Sequence, residues 1–138
     1  MKIKKKNLIE WKKKTLDLAG EMAFDPKILK RLEDIELEII PEDSNHMFYG
    51  WANYGENKIK VYESNPSKIF PRRIQEIWNQ SGMDHELMGH FYNFYNGLDH
   101  GEANAIETQM NFARYKGKKD ILWKVASFVG PSVIKLKG

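Results

Sequence analysis

The chain has 138 residues, 41% hydrophobic and 12% aromatic, enough for one domain with a real core and too apolar for a disordered segment. Its formal charge is only +3, and the Lys and Arg residues gather near the ends ("MKIKKKNLIEWKKK", "RYKGKKD", "VIKLKG"), which reads as a solvated face and termini rather than a nucleic-acid surface. Cys is absent, which excludes disulfides, thiolate metal ligands and cysteine nucleophiles and leaves His and carboxylate as the metal chemistry on offer.

No uninterrupted apolar run follows the basic N-terminus, and the longest apolar stretch, "ILWKVASFVG", is short and broken by Lys124; a cytoplasmic protein with no membrane span is expected. Asn7 is placed to cap a first helix carrying Leu8, Trp11, Leu16 and Ala19, with Gly20 as its stop. Asp25-Pro26 opens a short second helix with Ile28, Leu29 and Leu32. "IELEII" alternates apolar and acidic residues and predicts a half-exposed strand that Pro41 ends. "MFYGWANY" and "KIKVYES" flank "GEN" as a hairpin. Pro71 opens a helix through Ile74, Ile77 and Trp78, with a break at Ser81-Gly82 before a helix ending at Asn96-Gly97. "GEANAIETQMNFARYKG" is a further helix closed by Gly117, and "KDILWKVASFVGP" a last one. The order of helices, a small antiparallel sheet and more helices predicts a single α+β domain over residues 1–138.

Three of the four histidines, His85, His90 and His100, fall close to Glu86, Glu102 and Glu107. In "HELMGH" the two histidines are five apart, where a regular helix points them about 140° away from each other. A widened π-type turn returns residues five apart to one face, and Gly89 is where that distortion crowds side chains least. His85 and His90 then share one zinc ion, and Glu86 projects toward the open position as general base for an attacking water. The third ligand must come from downstream. Counting rise along the helix past His90 and back down the next one ranks Glu107 first, Glu102 second and His100 third. Asn111, four residues beyond Glu107, is placed to orient a ligand His.

These residues resemble the gluzincin class of zinc metallopeptidases, which carries an H-E-x-x-H helix, a turn, and a second helix with a ligand Glu. "HELMGH", "NGLDHG" and "ANAIETQMN" are similar to those pieces in order. The lengthened motif also resembles dipeptidyl peptidase III, whose downstream ligand sits in an E-x-x-A context like Glu102-Ala103-Asn104-Ala105, and "GEANAIE" resembles a segment of repressor-cleaving peptidases. The resemblance implies a minimal zincin-like domain that hydrolyses peptide or protein substrates with Zn2+, and a substrate-pairing edge strand at "NKIKVYES". Two other readings compete with it: a catalytically inactive peptidase-like binding module, and a basic nucleic-acid-binding protein. "FYNFYN" reads as packing rather than a substrate platform. The oxyanion-stabilising group is left open among Tyr92, Tyr95, His100 and Tyr115.

Overall fold

The computed structural model describes residues 2–43 and 49–125. It is an α+β domain. Helix α1 (Lys5–Glu21) and helix α2 (Pro26–Leu32) precede strands β1 (Glu36–Asp43), β2 (Gly50–Asn53) and β3 (Lys58–Ser64). A 3-10 turn (Pro66–Ile69), helix α3 (Arg72–Met83), a π-helix (Asp84–Tyr92), the single turn α4 (Asn93–Tyr95) and helix α5 (Glu102–Gly117) follow. Residues 121–125 are helical, whereas Lys119 and Asp120, where the last helix was expected to start, are not; residues 126–138 lie outside the described residues. None of the helices among the described residues is long and apolar enough to cross a membrane.

Helix α1 buries Leu8, Trp11, Thr15 and Ala19, one face at helical spacing. Asn7 sits inside the first turn rather than capping it: its Oδ1 accepts the Lys4 N–H at 2.9 Å, closing the turn from within. The helix also runs past Gly20 to Glu21, and Ala23 takes the left-handed conformation (φ 65°) that turns the chain. Asp25 caps α2 as expected, accepting the Lys27 N–H at 2.9 Å.

The sheet is three-stranded, ordered β1-β3-β2. It is mixed: β2 and β3 form the expected antiparallel hairpin, but β1 pairs with β3 in parallel, Leu37 opposite Ile59 and Ile39 opposite Val61. β3 is therefore the central strand, with Ile59 and Val61 fully buried, and not the substrate-pairing edge expected of it. The edge beside the π-helix is β2. On the far edge, β1 continues through Pro41, because an edge strand can lose one N–H donor where its register slips, here between Ile40 and Asp43.

Leu8, Leu32, Ile59, Val61, Leu87, Met88, Phe91 and Phe112 form the centre of the core, so the π-helix lies in the middle of the domain. Helix α3 runs into it without a break at Ser81-Gly82. Gly82 serves packing: a Cβ there would lie 2.5 Å from the Tyr49 ring. Asp84, fully buried, accepts from Thr15 Oγ1 at 2.7 Å and pairs with Lys116 Nζ at 2.6 Å, pinning α1 and α5 to the start of the π-helix.

Candidate metal centre

The π-helix spans both histidines, and its wider turn brings residues five apart onto one face. The two imidazole centroids are 4.9 Å apart. Each ring is oriented through Nδ1. Gln109 donates its amide to Ser81 Oγ at 2.7 Å, so its Oε1 is the end facing His85 Nδ1 at 2.9 Å and must accept that N–H. His90 Nδ1–H donates to the His100 carbonyl at 2.7 Å. Both acceptors lack a proton, so both rings keep Nδ1–H, which leaves Nε2 as the atom for a metal or, without one, for a proton.

The two Nε2 atoms converge on Glu102. One carboxylate oxygen lies 2.7 Å from His90 Nε2, and the carboxylate is 3.4 Å from His85 Nε2. One ligand atom from each of His85, His90 and Glu102 lies within 4.8 Å of the others. Tetrahedral zinc with bonds of about 2.0–2.1 Å separates its ligand atoms by about 3.4 Å. The His85–Glu102 distance already matches that value, and the His90–Glu102 contact needs to open by about 0.7 Å.

Glu107, ranked first from the sequence, is exposed on α5 and not part of this group. The helix-counting argument failed in the turn. The helical chain ends at Tyr95, and residues 96–101 fold back along it: the Leu98 N–H bonds to the Asn93 carbonyl at 2.8 Å, and the His100 carbonyl reaches His90. The descent is complete before α5 begins, so Glu102 in its first turn is already level with the histidines, and Glu107 lies about 7.5 Å further along the axis. His100 contributes its carbonyl, while its ring packs against Phe94 and Tyr54 at centroid distances of 5.1 and 5.2 Å. Asn111 is exposed and bonds Arg114; the orienting residue is Gln109. Gln109 lies seven residues after Glu102, two helical turns along the same face, a spacing that the sequence does display.

Glu86 is buried and flanks both rings, 4.0 Å from His85 Nε2 and 3.9 Å from His90 Nε2, hydrogen-bonding neither. Its carboxylate accepts the backbone N–H of Ala52, so strand β2 fixes its position. Burial raises its pKa above the ordinary carboxylate value against the pull of the two histidines. Glu102 is the opposite case: hydrogen bonds from His85 and His90 hold it well below that range. Burial works to lower the pKa of both imidazoles, but the Glu102 hydrogen bond and the Glu86 charge outweigh it and raise them. Without a metal, protons and Glu102 together fill the place of a cation.

"FYNFYN" is largely packing, as expected. Phe91 is core, the Tyr92 hydroxyl accepts the Asp25 N–H at 2.9 Å, Asn93 Nδ2 bonds the Gly89 carbonyl at 2.8 Å, and Tyr95 bonds Asn57. In comparisons with known proteins, the chain matches no protein-family model, no curated protein and no solved structure.

Proposed function

We propose that the domain is a zinc-dependent peptidase of the cytoplasm, with His85, His90 and Glu102 holding the metal and Glu86 acting as general base. The observation that carries this reading is the pairing of two carboxylates with opposite environments at one His pair. Glu102, ionised and partly open to solvent, suits a ligand. Glu86, buried with a raised pKa and held by β2, suits a group that takes up and returns a proton. Two imidazoles and a carboxylate are a donor set that zinc takes in hydrolases, where it polarises the attacked carbonyl and acidifies water. In that setting Glu86 accepts the proton of the attacking water and passes it to the leaving amine. The acceptors on Gln109 and His100 hold Nδ1–H on both ligand rings and aim their Nε2 atoms at one point. The edge strand β2, whose Ala52 N–H meets Glu86, lies against this face of the π-helix and is suited to align an extended peptide by backbone hydrogen bonds.

The test is Glu86→Gln, which keeps shape and removes the proton acceptor. Zinc, about one per chain, should remain bound while hydrolysis of a peptide library falls at least about 100-fold. Undiminished turnover in that variant would sink the mechanism. The second reading, a catalytically inactive peptidase-like module, draws on the 2.7 Å His90–Glu102 hydrogen bond, which lets the centre close on protons instead of metal. Wild-type protein that binds no zinc and cleaves nothing would favour it.

A further inference from the structure

The tyrosines of the domain differ in what their hydroxyls do. Those of Tyr92 and Tyr95 are bonded to Asp25 and Asn57, and that of Tyr49 is sealed in the core without a partner. Tyr62 faces Trp51 on the sheet, and Tyr115 lies beneath Lys118. Tyr54 stands apart from all of these. It opens the turn that follows β2, two residues after Ala52, whose backbone N–H meets Glu86. Its ring is clamped by Phe94 at 4.6 Å, Phe91 at 5.1 Å, His100 at 5.2 Å and the ligand His90 at 6.5 Å between centroids. Its hydroxyl hydrogen-bonds to no described residue. The hydroxyl is near enough to feel the carboxylates of both Glu86 and Glu102.

We propose that Tyr54 is a catalytic residue of the peptidase, donating a hydrogen bond from its hydroxyl to the carbonyl oxygen of the cleaved bond as that oxygen gains negative charge. The assignment rests on the peptidase reading above. The hydroxyl is a rigidly mounted donor beside the histidine pair, and its proton is shared, not transferred. The group needs no reorganisation when the charge develops, which is what makes such donors effective. The competing role is packing alone, with the ring filling the aromatic cluster and the hydroxyl idle.

Tyr54→Phe separates the two roles, because it keeps the ring among Phe91, Phe94 and His100 and removes only the O–H. Zinc content and melting temperature should match wild type. The kcat should fall about 100-fold with KM changed less than about threefold. The affinity of a phosphinic peptide, whose tetrahedral oxygen imitates the oxyanion, should weaken in parallel by calorimetry. Wild type that cleaves peptide and binds the phosphinic peptide, with Tyr54→Phe within about threefold of it in both, overturns the Tyr54 assignment alone. A variant that loses zinc along with activity overturns it too, by making the tyrosine scaffold. Zinc-loaded wild type that neither cleaves peptides nor binds the phosphinic peptide defeats the peptidase reading itself, and Tyr54 with it.

Discussion

Replacing Gly89 by Ala should damage the metal centre more than the fold. A Cβ at residue 89 would lie 2.8 Å from both Cα and Cβ of Ala105 and 2.9 Å from its carbonyl oxygen. Ordinary carbon–carbon contact is about 3.5–4.0 Å, so α5 must retreat by about 1 Å. Backbone cannot swing aside like the end of a flexible side chain, and overpacking of this kind costs about 1–3 kcal/mol. Alanine returns up to about 1 kcal/mol of helix propensity, leaving a net loss of about 0–2 kcal/mol, a few °C of Tm at this chain length. Zinc affinity is the sharper readout. Glu102 lies three residues before Ala105 and Gln109 four after it, so the retreat displaces one ligand and the group that orients another. Loss of such support costs about 10–100-fold in metal affinity. Titration with a competing zinc chelator, alongside thermal melts, measures both effects. Gly20→Ala is the control, since nothing lies within 4 Å of its added Cβ, and it should leave zinc binding unchanged and stability equal or higher. A Gly89→Ala protein that melts at or above wild type and binds zinc within about twofold of it would refute the close-approach argument.

Glu102→Gln should strip most of the zinc while Glu107→Gln leaves it bound, read by elemental analysis of dialysed protein; the reverse pattern would return the ligand role to Glu107. Gln109→Leu frees the His85 ring and should weaken zinc binding about 10–100-fold, with Gln109→Asn recovering little because its amide is one methylene too short to span Ser81 and His85. For the chelated protein, the raised pKa values of His85, His90 and Glu86 all carry one sign. Stabilisation is full below the unfolded values, about 6.5 for His and 4.3 for Glu, and is lost as pH climbs through the raised folded values. Glu102, with its lowered pKa, contributes stability above the unfolded carboxylate value, which disappears only as pH falls through the folded one, so it stays constant across neutrality. The metal-free Tm should therefore drop as pH climbs above the unfolded His value of about 6.5, whereas the zinc-loaded Tm should hold or rise; a metal-free Tm that rises there contradicts the proton-filled centre.

The sequence by itself determined the elements whose signals are local. Asp25-Pro26 starts a helix because the side chain caps it and the ring presets its first turn. The apolar spacing of α1 and the alternation of "IELEII" leave one buried face each. The five-residue spacing of His85 and His90 with a Glu between them is a demand on local geometry, and a widened turn is what meets it. Tertiary structure decided everything that depended on where two distant segments meet. The parallel pairing of β1 with β3 needs a long-range register that no alternation encodes, and it moved the free edge from β3 to β2. Gly89 looked like relief for a strained turn, but its lack of a side chain is also what lets α5 cross at Ala105. The candidate third ligand turned on how residues 96–101 spend their length. Helical rise can be counted from sequence, but the path of a loop is set by hydrogen bonds such as that from His90 to the His100 carbonyl. That bond exists only once both helices are in place, and through it Glu102, rather than Glu107, meets the histidines.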